Sequence, residues 1–155
     1  MSVKKSLREQ HYNGKKNIAG QRKSTDNKRP VWIFTNVDMA GKFAFDIHRD
    51  DFQHLEVMEK MIRYSNMTWE EIKQQTHHDG KSKHHHLQYK ALSKESQERL
   101  TTKGLEEAID ALFSFALNGT LRIVGIREEE RFKVLWYDPK HEVCPSQQRD
   151  RKSVV

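Results

Sequence analysis

Residues 112–143, LFSFALNGTLRIVGIREEERFKVLWYDPKHEV, constrain the fold more than any other stretch. Three apolar runs, 112–117, 121–127 and 131–137, are separated first by Asn118, Gly119 and Thr120, then by Glu128, Glu129 and Glu130. Side chains of a strand alternate between faces. Phe113, Phe115 and Leu117 therefore share one face of the first run, Leu121 and Ile123 one face of the second, and Phe132, Val134 and Trp136 one face of the third. The pattern predicts a three-stranded antiparallel meander. The dipeptide of Asn118 and Gly119 suits a two-residue type I′ turn, in which both central residues need positive φ. The opposite face, carrying Arg122, Val124, Lys133 and Leu135, is expected to be mixed. It is either a binding surface or a half-solvated face with ordinary surface cations.

Upstream, residues 31–36 (VWIFTN) and 42–48 (KFAFDIH) alternate in the same way and predict an N-terminal hairpin that turns near Ala40 and Gly41. Asp50 or Asp51 is expected to cap a helix with an apolar stripe of Phe52, Leu55, Met58 and Ile62, ending near Asn66. Thr68 followed by Glu71 fits a capping box for a short helix to about Gln75. Residues 77–86, with five histidines, are expected to form a loop, followed by a short extended piece over 87–91. Ser93 is expected to cap a helix over 94–103, stopped by Gly104, with a further helical turn or two over 105–111. The expected fold class is α+β: an antiparallel sheet, made of the N-terminal hairpin and the C-terminal meander, packed against helices.

At 155 residues the chain has room for one domain with tails. Its charge is unevenly distributed. Residues 1–29 hold nine Lys and Arg against Glu9 and Asp26, a net +7, whereas the whole chain carries +6. The basic character thus resides in the N-terminal arm, and residues 30–155 sum to −1. The arm is polar and without apolar periodicity, which predicts disorder over 1–29, a single domain over 30–145 and a flexible tail over 146–155. Lys15, Lys16, Arg22 and Lys23 lie in the arm, which either contacts polyanions without sequence preference or is a solvated extension. Cys144 is the only cysteine, so no internal disulfide is possible, which suits a reducing compartment. No apolar run is long enough to span a membrane, and the basic start lacks the apolar core of a secretory signal. The expected location is the cytoplasm, with no membrane partner.

Three constellations carry candidate chemistry. The histidine-rich loop has imidazoles able to ligate a metal, contact a phosphate, transfer protons or simply be solvated. Its spacing matches no zinc signature, so neither a metal nor another cofactor is expected. Asp138, Pro139, Lys140 and His141 follow the third run directly. Proline ends strand pairing, so the strand delivers Tyr137, Asp138 and His141 to its mouth, where His141 is suited to proton transfer near neutral pH. Arg122, Arg127, Arg131 and Lys133 lie on or beside the second and third strands. The planar fork of arginine matches the oxygens of a phosphate. The three intervening glutamates either pair with these cations or repel a polyanion.

Asn118 through Ile123, the acidic turn, the apolar run from Phe132 and the closing Tyr137 and Asp138 with His141 three residues on together resemble the C-terminal meander of HigB-like toxins in the RelE/ParE superfamily. The resemblance covers about residues 112–143. It implies a small α+β ribonuclease that cuts RNA, often on the ribosome, and is held inactive by a cognate antitoxin. A ribose 2′-OH attacks the adjacent phosphate, cations stabilise the phosphorane, and an acid or base moves protons. Arg122 matches the strand arginine of the family and His141 its terminal histidine, with Asp138 and Tyr137 beside them. Arg127, Arg131 and Lys133 would then add nucleic-acid contacts. The alternative is a non-enzymatic interaction protein that binds a protein or nucleic acid through its sheet edge or basic arm.

Overall fold

The computed structural model describes residues 25–145. The fold is α+β. A five-stranded, mostly antiparallel sheet has the order β1-β5-β4-β3-β2. Its strands are β1 (Val31–Ile33), β2 (His85–His86), β3 (Leu112–Ala116), β4 (Arg122–Glu128) and β5 (Arg131–Asp138). Helices α1 (His54–Ser65) and α2 (Trp69–Gln74) lie between β1 and β2 in sequence. Helix α3 (Lys94–Thr102) lies between β2 and β3, flanked by 3-10 turns at Tyr89–Ala91 and Glu106–Ala111.

The meander forms as its alternation predicts, with β3–β4 and β4–β5 antiparallel. Its two turns depart from the simplest expectation. The first is closed by Leu121 N–H donating to Asn118 O, so Gly119 and Thr120 occupy the centre. Gly119 has φ 55 but Asn118 is not in the left-handed region, so this is not a type I′ turn on Asn118 and Gly119. The tight two-residue turn lies instead at Glu129 and Glu130, with Glu128 paired to Arg131 and Glu129 at φ 59.

Both sheet faces are covered, which corrects the expectation of a mixed, half-solvated face. On one side α1 and α2 pack Val57, Met61, Tyr64, Trp69 and Ile72 against Phe113, Phe115, Ile123, Phe132 and Val134. On the other, Leu92 and Leu100 pack against Leu112, Val124, Ile126, Leu135 and Trp136. A bulge between Val124 and Gly125 resets the alternation in β5. Trp136 consequently joins Leu135 on the α3 face, not Phe132 and Val134 as strict alternation predicts.

The N-terminal hairpin does not form. Strand β1 pairs in parallel with β5, Trp32 opposite Phe132. Residues 38–45 continue along the same edge of β5: Asp38 N–H donates to Leu135 O, and Tyr137 N–H donates to Phe43 O. Val31–Ile33 and the 38–45 segment thus occupy one edge in tandem and cannot pair with each other. Asp38, 1 % exposed, fastens this segment. It accepts from Arg99 Nε at 2.9 Å and Nη2 at 2.7 Å, from Trp136 Nε1 at 3.0 Å and from Ala40 N–H at 3.2 Å.

Helix α1 starts later than expected. Its N-cap is Gln53, without a side-chain cap bond, while Asp51 pairs with Arg49. Its buried residues are Val57, Met61 and Tyr64, and Leu55, Met58 and Ile62 face out at 69 %, 55 % and 58 % exposure. Both stripes have helical spacing. The sheet selects the one ending in Tyr64, whose hydroxyl donates to Ala116 O at 2.6 Å. The capping box at Thr68 is present, and Ser93 caps α3 by accepting from Ser96 N–H. Thr68→Ala should lower stability by about 1 kcal/mol in urea unfolding, because it removes the acceptor for the Glu71 amide. An unchanged midpoint would show that the box contributes nothing.

The disorder expected over 1–29 fails for its last residues. Thr25 is buried, and Asp26 pairs with Arg127 at 2.6 Å and Lys73 at 2.9 Å. The remainder of that expectation, and the tail after 145, concern positions outside the described residues.

Candidate phosphate-binding site

Strand β4 begins with Arg122 and β5 ends with Asp138, and the two are direct cross-strand partners. Arg122 also faces Ala116 on β3. Directly paired residues point to the same face, so Arg122 and Asp138 lie on the α3 face, beyond the apolar cover over Val124 and Trp136.

Arg122 is 8 % exposed. Its Nη1 donates to Gly119 O at 2.8 Å and Leu121 O at 3.0 Å, which fixes the guanidinium against the β3–β4 turn. Among the described residues no carboxylate lies within ion-pair distance of it, and burial lowers its pKa against the opposing pull of Asp138. A buried guanidinium is strongly desolvated and gains most from an anion when it has no fixed counter-ion.

Asp138 is 1 % exposed, and burial raises its pKa, although two amides and Arg122 act in the other direction. Its Oδ1 accepts from Glu142 N–H at 2.8 Å and its Oδ2 from Val143 N–H at 2.9 Å. The carboxylate therefore folds the chain back on itself directly after β5. His141 sits in that bend at φ 58, half-buried. Thr120 Oγ1 donates to Pro139 O at 2.7 Å, joining the β3–β4 turn to the same bend. Arg122, Asp138 and the bend that carries His141 are thus gathered at one end of the sheet, as the sequence suggests. The role of Asp138 there is to shape the bend.

Tyr137 does not join them. It points to the α1–α2 face, is fully buried, accepts from Gln53 N–H at 2.9 Å and donates to Asp51 O at 2.7 Å. Its hydroxyl ties the start of α1 to β5 and has no path to Arg122. Arg127 and Lys133 lie toward the opposite end of the strands. Five residues separate Arg127 from Arg122, about 17 Å at strand rise. The Arg127 guanidinium lies 4.2 Å over the Trp69 ring and donates to Asp26 and Glu129 O. Lys133 pairs with Glu128 at 2.8 Å, and Arg131 is exposed. Two of these three cations are therefore engaged within the fold. Lys15, Lys16, Arg22 and Lys23 lie outside the described residues.

No protein-family model, curated protein or solved structure matches this chain.

The histidine-rich segment divides by strand register. His84 and His86 project to the α1–α2 face: His84 packs on Tyr64 and Phe115, His86 on Phe113. Among the described residues no group of three or more His, Cys, Asp or Glu is placed to hold a metal, and no helix is long and apolar enough to cross a membrane. His85 belongs to a short edge strand where the sequence indicates only a loop, and it points to the same face as Arg122. Period-2 reading of a two-residue strand has too little pattern to reveal this.

Proposed function

We propose that this protein binds and cleaves RNA by attack of a ribose 2′-OH on the adjacent phosphate, in the manner of the toxin family its meander resembles. The observation that carries the reading is a buried arginine, without a carboxylate partner among the described residues, across the strand pair from the aspartate that shapes the His141 bend. Arg122 holds the phosphate oxygens and stabilises the charge gathered in the phosphorane. His141 transfers a proton to or from the reacting oxygens. Asp138 positions the bend. No metal or cofactor enters this scheme.

RNA, alone or on the ribosome, is the proposed substrate, and the cytoplasm is the proposed location. An antitoxin-like protein partner has separate support. Leu55, Met58 and Ile62 form an exposed apolar stripe on α1, a face that solvent does not favour. The same stripe supports the second reading, a protein whose role is to hold a partner.

The test is induced expression and in vitro RNA cleavage, with and without ribosomes. His141→Asn keeps a residue that tolerates the left-handed bend. It should lower cleavage about 10²–10⁴-fold, the usual loss for a positioned proton-transfer group, with an unchanged melting temperature. Arg122→Lys should also lose cleavage, and the exposed Arg131→Ala should not. If the wild-type protein cleaves no RNA and its expression is harmless, the nuclease reading fails and partner binding replaces it.

A further inference from the structure

Beyond Arg122 and His141, the α3 face carries two polar side chains at the same end of the sheet. His85 on β2 is paired with Ser114 on β3, and Ala116, two residues along β3, is paired with Arg122 on β4. Phe113 and Phe115 belong to the α1–α2 cluster, so Ser114 and Ala116 point the other way, and their partners His85 and Arg122 point with them. Ser114 is 5 % exposed, and its strand β3 lies between β2, which carries His85, and β4, which carries Arg122. Two strand spacings and a two-residue offset separate His85 from Arg122, about 12 Å between backbones. The Arg122 guanidinium is held at the β3–β4 turn end of that span, with Ser114 and Ala116 of β3 between it and β2.

We infer that His85 and Ser114, together with Arg122, form one oxyanion-binding site for a phosphate of a nucleotide chain, with β2 as its second wall opposite the His141 bend. This deepens the nuclease reading and rests on it for the substrate class alone. The site has the donor set a phosphate needs: a desolvated guanidinium fixed on one nitrogen by two backbone carbonyls, a hydroxyl beneath and an imidazole at the rim. Burial first, and then the charges of Arg122 and His77, lower the His85 pKa, against a hydrogen bond to the Ser82 backbone that raises it. An arriving anion opposes that lowering. His86, one residue on, faces the opposite side of the sheet and provides an internal control.

The experiment is an NMR titration of the full chain with inorganic phosphate, following the imidazole resonances of all histidines. His85 should shift saturably, while His86 stays still. Arg122→Gln should weaken this binding about tenfold or more, the scale of one charge-assisted hydrogen bond. Ser114→Ala should weaken it about threefold or more, the scale of a neutral one. Should Arg122→Gln not fold, Ser114→Ala and His85→Asn, measured by calorimetry, decide the matter. A uniform drift of all histidines, or saturable binding that neither Ser114→Ala nor His85→Asn weakens, overturns the site. The two ideas also separate. Phosphate binding at His85 without RNA cleavage supports the site and sinks the nuclease reading. Cleavage with no response at His85 does the reverse.

Discussion

Gly125→Ala is expected to destabilise the protein by about 3 kcal/mol or more, toward the upper end of overpacking effects. A Cβ at this position would sit 2.3 Å from Lys133 O and 2.7 and 2.9 Å from the Phe132 ring. The carbonyl is backbone in the middle of the β4–β5 pair, so it cannot yield as a flexible side chain would. Relief requires the two strands to part at the bulge between Val124 and Gly125. The bulge decides which side chains each layer receives, because it turns Leu135 and Trp136 together toward α3. Opening it therefore disturbs both cores at once. Against a typical total of about 5–15 kcal/mol, such a loss leaves little. Gly80→Ala is the control. Gly80 has φ 82 but no atom within 4 Å of a built Cβ, so the cost is backbone strain alone, about 1 kcal/mol. Urea unfolding of both variants checks the difference. If Gly125→Ala stays within about 0.5 kcal/mol of the parent, the close approach is not what holds a glycine there.

The same bulge marks where the sequence stops being legible. Up to Val134 the alternation of apolar residues gives the right faces, because period 2 follows from strand geometry alone. One extra residue shifts every later assignment, which is why Trp136 and Tyr137 exchange sides. Tyr137 thereby leaves the face of Arg122, and Asp138 joins it. Capping residues read correctly at Thr68 and Ser93, where the signal is a local hydrogen bond. Helix α1 shows the opposite case. Leu55-Met58-Ile62 and Val57-Met61-Tyr64 both satisfy helical spacing, and only the carbonyl of Ala116, far away in sequence, selects the second. The N-terminal hairpin fails for a similar reason: local alternation is real, but the edge of β5 competes successfully for both segments. Arg122 and His141 are legible because they flank turns. The engagement of Arg127 with Asp26 and Trp69 is not, because it joins residues 101 and 58 positions apart in sequence.

His84 should make the fold acid-labile well above the carboxylate range. Its Nδ1 accepts from Ala116 N–H at 3.0 Å. An amide can only donate, so the ring proton is on Nε2, which donates to Gln75 Oε1 at 2.8 Å. A second proton would have to displace the amide bond in a buried position, among Tyr64, Phe115 and the charges of Lys83 and Arg122. Burial first, and then those charges, bring its pKa down to about 3. The unfolded chain, with an ordinary value near 6.5, binds this proton first as pH falls. The contribution of neutral His84 is therefore complete above about pH 6.5 and declines as pH drops toward 3, by about 1.4 kcal/mol per unit inside that window. His85 and His86, whose pKa values are also lowered, act in the same direction, while Asp138, raised by burial, opposes them. At pH 7 His84→Ala should cost about 3–5 kcal/mol, through an unsatisfied buried amide and a cavity. Urea unfolding at pH 7 and pH 5 should show the gap between wild type and variant narrowing by about 2 kcal/mol as pH falls, since only the wild type loses the His84 contribution. The other titrating groups are common to both proteins and cancel in the comparison. A gap that stays constant between the two pH values would mean that folded His84 takes up its second proton as readily as the unfolded chain does, and the assignment of its Nδ1 as a buried acceptor would fall with it.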